Sequence, residues 1–403
     1  MERPVKMQYR RFGRTELAMP VFSCGGMRYQ QAWKDLDPEV IEAGKQANLE
    51  ATIHRAIEVG INHVETARGY GSSEMQLGRV LPSFPREDLI VQTKVAPSDD
   101  PEKFRATLEK SLGYLQLDYV DLFGFHGVNN DAVLDQVVRP GGCLEVIREF
   151  QREGQVRHVG FSTHGGRDEI TRAIDTGEFD YVNIHWYWVN DRNWPAIEAA
   201  KRRDMGVFII SPNDKGGKLY DPPPKLAELC APLTPMEFND LFCLLRPEVN
   251  TLSVGAAQPS DFDVHLAALE RLESGEAGGV VAEISGRLDQ CLRDELGAEW
   301  MEGWERGIPE WNEIPGGLNV WEMLRLGNLA TGLGMVEFGK MRYNMLGNAG
   351  HWCPGENASE FDEDAVRTVL GASPFAGEIP GRLREIHELL YEAPKKRLSE
   401  SDD

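Results

Sequence analysis

The 403-residue sequence lacks the features that mark secreted and membrane proteins. Its six cysteines are scattered without a pair spacing, which fits reduced cytosolic thiols better than a disulfide framework. No run of 18 apolar residues is present, so no membrane span is indicated. The first residues, MERPVKMQYRR, lack the apolar core of a secretory signal. We therefore expect a cytoplasmic protein.

Basic residues are also scarce relative to acidic ones. The chain has 43 Lys and Arg against 65 Asp and Glu, which gives a formal net charge of −22. A surface of this sign repels phosphate backbones and anionic lipid, so nucleic acid and membranes are disfavoured as general partners. Nothing in the sequence indicates an oligomeric state.

Apolar runs of strand length recur along the first two thirds of the chain. Helix-like stretches, in which apolar residues recur three or four apart, lie between them, as in 49–60, 101–115, 144–154 and 168–177. The strand-like runs are VFSCGG (21–26), INHVETA (61–67), LIVQTKV (89–95), YVDLFGFH (119–126), VRHVGFST (156–163), FDYVNIHW (179–186), GVFIISP (206–212) and NTLSVGAA (250–257).

Eightfold alternation of strand and helix predicts the α/β class and a closed (β/α)8 TIM barrel. Residues 7–20 precede the first run and favour a short hairpin with Gly13 in its turn region, which would plug the bottom of the barrel. The barrel pattern ends near residue 272, so we predict one domain over 1–272 and a helical carboxy-terminal extension over 273–403. The extension's expected helices lie in 280–300, 321–346 and 366–371.

Four residues with complementary chemistry come from the ends of three of these runs. Glu65, Lys94 and His126 lie at the carboxyl ends of the runs, and Tyr70 follows five residues after Glu65. A TIM barrel keeps its chemistry at that end. A phenol, an ammonium, an imidazole and a carboxylate that converge there are suited to giving a proton to a carbonyl oxygen while a cofactor delivers hydride. Each residue alone has an ordinary structural explanation, and it is their joint occurrence that favours a site.

Several motifs in the expected order make the sequence similar to the aldo-keto reductase superfamily over roughly residues 7–272. VETARGYGSSEMQLG (64–78) resembles the signature Asp-Thr-Ala-x-x-Tyr-Gly-x-Ser-Glu, with Glu65 in the place of the aspartate. VQTK and DLFGFHG carry the matching lysine and histidine. GFSTHG (160–165) and SPNDKGGKL (211–219) resemble the segments that hold the nicotinamide and the pyrophosphate.

The resemblance implies a carbonyl reductase in which Tyr70 is the general acid, His126 orients the substrate, and Lys94, held by Glu65, eases proton donation by the phenol. An ammonium beside a phenol favours the phenolate, whose acid otherwise has a pKa of about 10. It also implies that Trp186 stacks on the nicotinamide. The cofactor-binding residues that it implies are Gly26, Met27, Ser162, Thr163, Asn183, Trp186, Ser211, Pro212, Asn213, Lys215, Gly217, Gly255, Ala257, Asp261 and His265.

The sequence departs from the family pattern at the positions that would contact the adenosine half of the cofactor. The phosphate-reading positions are Ala257 and Asp261, and Val264-His265 stands where the family has Glu-Asn. An acid at 261 repels a 2′-phosphate, so we expect the cofactor to be either NADP(H), which the family usually prefers, or NAD(H). The longer Glu65 must also fold back to reach Lys94, and a misplacement near 1 Å is costly for catalysis.

The extension resembles a ferredoxin-like module that one branch of the family carries. RYNMLGNAGHWCPGENA (342–358) has the placement and the closing Cys-Pro, but it contains a single cysteine, Cys353. A four-cysteine cluster needs four thiolates, so we expect no iron–sulfur cluster.

Two classes of function remain open at this point. The first is an NAD(P)H-dependent oxidoreductase that acts on an aldehyde or ketone. The second is a catalytically degenerate barrel that binds cofactor or acts through a partner, an interpretation favoured by the changes at 65, 264 and 265. A metal-dependent hydrolase is disfavoured because no strand ends in His-x-His.

Overall fold

Eight parallel strands close into a barrel, as the alternation of strand and helix predicts. The computed structural model describes residues 6–400, and the strand order around the barrel is β10-β3-β4-β5-β6-β7-β8-β9. Each strand lies within one of the eight apolar runs. The strands are β3 (Phe22–Gly25), β4 (His63–Glu65), β5 (Ile90–Val95), β6 (Val120–His126), β7 (Val156–Ser162), β8 (Tyr181–Ile184), β9 (Gly206–Ile209) and β10 (Thr251–Val254).

The amino-terminal hairpin consists of β1 (Tyr9–Arg11) and β2 (Ala18–Pro20), which pair antiparallel. Phe12 and Met19 from this hairpin are completely buried. They pack in one cluster with barrel residues, which confirms the expectation that the hairpin closes one end of the barrel. The barrel members of that cluster are Ile90, Leu122, Tyr181 and Phe208.

Helices follow the strands, and local signals mark where they begin. Asp100 caps α3 by accepting from the backbone N–H groups of Glu102 and Lys103, and Pro101 occupies the first helical position, where its missing N–H costs nothing. The helices between residues 43 and 274 are α1 (Ala43–Glu58), α2 (Ser73–Leu77), α3 (Pro101–Leu115), α4 (Asp131–Val138), α5 (Cys143–Arg152), α6 (Arg167–Asp175), α7 (Trp194–Arg202), α8 (Pro224–Cys230), α9 (Pro235–Leu244) and α10 (Asp263–Ser274).

The chain forms two compact units. The first comprises Met1–Gly216 with Asn239–Ala277, and the second comprises Gly217–Phe238 with Gly278–Asp403. The division at 272/273 that the sequence suggests stays a prediction. Within residues 6–400, every helix is too short or too polar to span a lipid bilayer.

The carboxy-terminal region is helical, as expected. Its helices are α11 (Ala277–Leu296), α12 (Ala298–Gly303), α13 (Val320–Leu333), α14 (Val336–Tyr343), α15 (Glu363–Val369) and α16 (Ile379–Leu390). The stretch 321–346 is two helices because Gly334, at φ 73°, ends the first in a left-handed cap. Helix α16 was not anticipated. It packs closely on α13, where a Cβ on Gly327 would lie 2.4 Å from Ile386 Cδ1.

Candidate active site

A buried ion pair joins the ends of two neighbouring strands. Lys94 on β5 contacts the carboxylate of Glu65 on β4, and both residues are almost completely buried. The hydroxyl of Ser253, on β10, donates to Glu65 Oε1 at 3.0 Å. The longer acid at position 65 therefore does reach Lys94. Because a buried charge needs both a partner and hydrogen bonds, Ser253 completes the pair.

Room for the extra methylene of Glu65 comes from Gly25 on β3. A Cβ built on Gly25 would lie 3.1 Å from Glu65 Oε1 and 2.7 Å from the hydroxyl of Ser253. Any larger residue at position 25 would therefore displace the carboxylate or the serine. Gly25 thus leaves the space, and Ser253 supplies the hydrogen bond, that the carboxylate of Glu65 needs.

We expect Glu65→Asp to lower kcat, although aspartate is the residue of the family signature. The shorter side chain cannot contact Lys94 and accept from Ser253 from the same backbone position, and a misplacement near 1 Å costs up to about 10²-fold in rate. Steady-state kinetics with a reducible carbonyl checks this result. Wild-type kcat in the aspartate variant would show that this geometry does not matter.

Tyr70 and His126 lie beside this ion pair. The Nζ atom of Lys94 is 5.2 Å from the centre of the Tyr70 ring. The rings of Tyr70 and His126 meet edge to face, with centroids 5.7 Å apart. Both residues are half-buried, whereas Lys94 is buried. The structure thus brings together all four residues that the sequence singled out, with the phenol and the imidazole as the more accessible groups.

Buried polar contacts hold the loop that carries Tyr70. Glu74 is completely buried and pairs with Arg68, which also pairs with Asp35. The hydroxyl of Thr93 donates to Glu74 Oε1 from the strand that bears Lys94. The loop and the strand are therefore tied together, which fixes Tyr70 relative to Lys94.

His63 is a histidine on β4 that the site does not use as an acid. Burial, and next the positive charge of Lys94, lower the pKa of His63 to about 3. Its Nδ1 lies 2.6 Å from the hydroxyl of Ser23. The imidazole of His63 is consequently neutral at physiological pH. The group that donates a proton is therefore the phenol of Tyr70 or the imidazole of His126.

His126, Ser162 and Asn183 lie in register on the three neighbouring strands β6, β7 and β8. Asn183 is fully buried, and neither its Nδ2 nor its Oδ1 has a hydrogen-bond partner among the described residues. An unsatisfied carboxamide is costly, so a site of this kind fits a ligand with a complementary donor and acceptor. The hydroxyl of Thr163, unlike the carboxamide of Asn183, has a partner within the protein, because it donates to the backbone oxygen of Val128.

Trp186 does not fit the stacking role implied by the family resemblance. It is 2% exposed and its ring lies face to face with Phe242, with Trp194 on another side. Because its ring faces pack against these aromatics, Trp186 is a packing residue, and we do not retain it in the candidate site.

A polar network that the sequence analysis did not identify is formed by residues in the segments after strands β7, β8 and β9. His164 Nε2 lies 3.0 Å from Lys215 Nζ and 3.3 Å from His185 Nε2. His185 Nδ1 contacts the hydroxyl of Tyr187, which donates to the backbone oxygen of Ile210. The rule that singled out His126, a polar residue at or just after the carboxyl end of a barrel strand, would also have found His164 and His185.

The expected pyrophosphate segment forms a tight turn after β9. Ser211 has φ 52°, and its backbone oxygen accepts from the N–H groups of Lys215 and Gly216. Asn239 donates to the backbone oxygen of Pro212. Asn213 Nδ2 lies 3.3 Å from His265 Nε2. Gly217, the last expected member of this segment, belongs to the second unit.

Two residues expected to read the adenosine half of the cofactor are engaged elsewhere. The carboxylate of Asp261 accepts from the backbone N–H groups of Ala257, at 2.8 Å, and Gln258, at 3.3 Å. His265 is buried and contacts Asp240 through Nδ1. Asp261 therefore occupies N–H donors that a phosphate would otherwise use, and the structure buries His265 instead of presenting it to a ligand.

Gly26 and Met27 follow β3 beside the ion pair. The N–H of Gly26 donates to the backbone oxygen of Glu65 at 2.7 Å, and Met27 is half-buried. The next residue, Arg28, lies over Gly255, the first residue after β10. Arg28 was not singled out in the sequence, although it is adjacent to two residues that were.

Metal ligands do not gather anywhere in the described part of the chain. Over residues 6–400, no group of three or more His, Cys, Asp or Glu is arranged to hold a metal ion. Cys353 is buried and lies 3.8 Å from the guanidinium of Arg342. No disulfide joins the cysteines of the described residues.

Comparison with known proteins points to one family. Residues 22–216 match the model of the aldo/keto reductase family. The chain is 28% identical over 285 residues to L-galactose dehydrogenase of Arabidopsis thaliana, which covers 63% of this chain and 86% of that protein. It is 27% identical over 188 residues to the NADH-specific methylglyoxal reductase of Escherichia coli, which covers 41% of this chain and 56% of that protein.

A methylglyoxal reductase of Salmonella typhimurium is 40% identical over 157 residues, 38% of this chain and 50% of that protein. The chain thus spans about half the length of either methylglyoxal reductase. Among solved structures, the holo form of an aldo-keto reductase from Bacillus halodurans aligns with a TM-score of 0.57 at 20% identity, over 69% of this chain and 96% of that one. At that identity the likeness shows the barrel fold.

Proposed function

We propose that this chain, whose residues 22–216 match the aldo/keto reductase family model, is an NAD(P)H-dependent oxidoreductase that reduces an aldehyde or a ketone with Tyr70 as the proton donor. The observation that carries this proposal is the assembly of Tyr70 against the Lys94–Glu65 ion pair and the His126 ring at the carboxyl ends of three neighbouring strands. That is the end of a TIM barrel at which reacting groups meet.

The residues present fit a nicotinamide dinucleotide. The unsatisfied carboxamide of Asn183 and the hydroxyl of Ser162 are suited to hold the amide of a nicotinamide, and the segment from Ser211 to Lys215 is suited to its pyrophosphate. When bound, the reduced nicotinamide supplies the hydride. Asn183, Ser162 and His126 lie in register on neighbouring strands, which supports a nicotinamide site beside His126.

The chain's own groups supply the proton. The hydroxyl of Tyr70 donates its proton to the carbonyl oxygen as negative charge develops there, and His126 donates a hydrogen bond to the same oxygen. The ammonium of Lys94 stabilises the phenolate that remains on Tyr70. Glu65 and Ser253 keep that ammonium in place. A positive charge is therefore already positioned beside Tyr70 when the phenol loses its proton.

The degenerate barrel is the second candidate function, and it rested on the changes at positions 65, 264 and 265. Because Glu65 contacts Lys94 in spite of its length, the geometry favours the enzyme. Titration of the purified protein with NADH and NADPH, followed by tryptophan fluorescence, tests the choice. Binding of a dinucleotide together with carbonyl-dependent oxidation of NAD(P)H supports the reductase. Failure to bind either dinucleotide would instead support the degenerate barrel.

Substrate identity is best approached with a panel of small carbonyl compounds. Two relatives are named as methylglyoxal reductases, and another is named as L-galactose dehydrogenase. We therefore place methylglyoxal first on the panel, and oxidation of L-galactose is the test for the reverse direction. The cytoplasmic location inferred from the cysteines stays a prediction.

We expect the dissociation constants for NADPH and NADH to differ by less than about tenfold, which is under roughly 1.4 kcal/mol. A 2′-phosphate carries close to two negative charges and is usually met by Arg or Lys. Here Asp261 places a carboxylate on the N–H groups of Ala257 and Gln258. One relative is named as specific for NADH.

The matching variant is Asp261→Arg, which should shift the preference toward NADPH, with Asp261→Asn as the control that removes the charge without adding a base. Calorimetric titration of both cofactors measures the ratio. A wild-type preference for NADPH of several hundredfold would contradict this expectation.

A further inference from the structure

A row of four residues crosses the inside of the barrel and begins at Lys94. Lys94 on β5 is in register with Gly124 on β6, and Gly124 is in register with Gly160 on β7. Gly160 is in turn in register with Tyr181 on β8. Because both central positions are glycines, the side chains at the two ends of the row can reach toward each other.

Tyr181 fills the space that the two glycines leave. A Cβ built on Gly160 would lie 2.6 Å from the ring of Tyr181. A Cβ built on Gly124 would lie 3.2 Å from the hydroxyl oxygen of Tyr181 and 3.0 Å from Lys94 Cγ. The hydroxyl of Tyr181 therefore lies beside the stem of Lys94.

Gln92 faces the same interior from β5. Residues two apart on a strand point to the same side of a sheet, so Gln92 shares its face with Lys94 and Ile90. Ile90 packs in one cluster with Tyr181, which shows that this face is the inside of the barrel. Gln92 is also in register with Glu65, the partner of Lys94. The carboxamide of Gln92 is thus adjacent to the ion pair.

These buried groups have polar atoms that the protein does not satisfy. Gln92 and Tyr181 are both 0% exposed. Among the described residues, neither end of the Gln92 carboxamide nor the hydroxyl of Tyr181 has a hydrogen-bond partner. An ammonium has three N–H donors, and in the same part of the chain the one acceptor for Lys94 is Glu65. Buried polar groups of this kind are costly unless an internal water satisfies them.

The charges of the neighbouring groups favour a neutral ligand. The Lys94–Glu65 pair has no net charge, and the carboxamide of Gln92 is neutral. Burial, and next the charges of Asp180 and Glu65, hold the pKa of Tyr181 well above its ordinary value, so its hydroxyl stays protonated. Water is neutral, both donates and accepts, and makes about three hydrogen bonds when it is buried.

We propose that Gln92 and Tyr181 bind one internal water molecule, which accepts a hydrogen bond from the ammonium of Lys94. The water donates to the hydroxyl oxygen of Tyr181 and to the carboxamide oxygen of Gln92. Glu65 and the water then hold the ammonium together, which fixes its position relative to Tyr70. Gln92 and Tyr181 are thus positioning residues. Their effect on catalysis rests on the proposed function, whereas the binding of the water does not.

The first test is a double-variant cycle of Tyr181→Phe and Gln92→Met, measured by urea denaturation of the full-length protein. Each substitution keeps the approximate shape of the side chain and removes its polar atoms. If both groups bind the same water, each single variant has a lower urea midpoint than the wild type. The double variant then loses clearly less than the sum of the two single losses.

Two results of this cycle would overturn the shared water. Replacing an unsatisfied buried polar group with an apolar group stabilises a protein. A raised urea midpoint in Tyr181→Phe or Gln92→Met would therefore show that the group has no ligand. Strictly additive losses would show that the two groups do not share one.

The kinetics of the same variants test the positioning of Lys94. We expect kcat for carbonyl reduction to fall about 5- to 10-fold in each single variant, because the ammonium loses one hydrogen bond. The double variant should fall little further, and the dissociation constant for NADH should stay within about twofold of the wild type. Lowered stability with wild-type kcat would refute the positioning of Lys94.

Tyr343→Phe is the matched control. Tyr343 is also completely buried, but its hydroxyl lies 2.7 Å from His387 Nδ1 and accepts from the N–H of Ala358 at 3.1 Å. It belongs to α14, in the second unit. Its variant should have a lower urea midpoint and an unchanged kcat, which separates a general loss of stability from an effect on Lys94.

A crystal structure of the wild type tests the water directly. We expect one ordered water within hydrogen-bond distance of Lys94 Nζ, the hydroxyl of Tyr181 and the carboxamide of Gln92. Well-resolved density without a water at this place would overturn the proposal. A wild type that neither binds NADH nor reduces a carbonyl would refute the proposed function, while the crystal structure and the denaturation cycle would still decide whether the water is bound.

Discussion

Replacing Tyr70 with phenylalanine is expected to lower kcat for carbonyl reduction by about 10²- to 10⁴-fold. The phenol is the group that gives a proton in the transition state, and its loss leaves the barrel, the Lys94–Glu65 pair and the cofactor segments in place. The dissociation constant for NADH should therefore stay within about twofold of the wild type, because the hydroxyl contributes little to ground-state binding. Single-turnover kinetics and fluorescence titration measure the two quantities separately.

Tyr119→Phe is a matched control for this change. Tyr119 is also half-buried, and it likewise lies beside a cation, with the guanidinium of Arg86 3.8 Å from the centre of its ring. It precedes β6 at the end of the strand opposite to His126, so we expect its variant to keep wild-type activity. If Tyr70→Phe retains most of the wild-type activity on a substrate that the wild type reduces, Tyr70 is not the acid.

Replacing Lys94 with methionine should impair both activity and folding. Activity should fall by about 10²-fold or more, because Tyr70 loses the adjacent positive charge that stabilises its phenolate. Stability should also fall, by about 3–5 kcal/mol, because the carboxylate of Glu65 is left buried without its partner. Urea denaturation and steady-state kinetics on the same preparation measure both losses.

A double variant separates these two effects. In Lys94→Met with Glu65→Gln, no buried carboxylate remains, and Ser253 can still donate to the amide oxygen. We expect the free energy of unfolding to recover most of the loss while kcat stays low. Recovery of kcat along with stability would mean that Lys94 acts only on the fold and takes no part in proton donation.

Much of the barrel could be read from local pattern. Strand and helix have side-chain periods of 2 and 3.6 residues, and these periods appear in the order of the residues themselves. The position of Lys94 or His126 at the end of an apolar run also follows from the chain alone. In a closed parallel barrel the carboxyl ends of the strands lie at the same end, which is why the sequence alone groups Glu65, Tyr70, Lys94 and His126.

The family resemblance added roles to these residues, but side-chain packing decided whether they could take them. Trp186 occupies the expected position and still packs against Phe242 and Trp194. His265 likewise turns inward to Asp240. A position in a motif does not reveal which face of a side chain is covered, because the covering residues come from helices distant in sequence.

The sequence by itself determined the number and order of the barrel strands, the helical character of the extension and the four candidate catalytic residues, since each depends on local periodicity or on a residue's place at a strand end. Only the tertiary structure decided that Gly25 and Ser253 accommodate Glu65, and that Arg28 reaches Asp214 and Gly255. Both arrangements depend on the pairing of β10 with β3, which joins Leu252 to Phe22. Contacts across such a closure carry no local signal, because they arise only when the two ends of the barrel sequence meet in space.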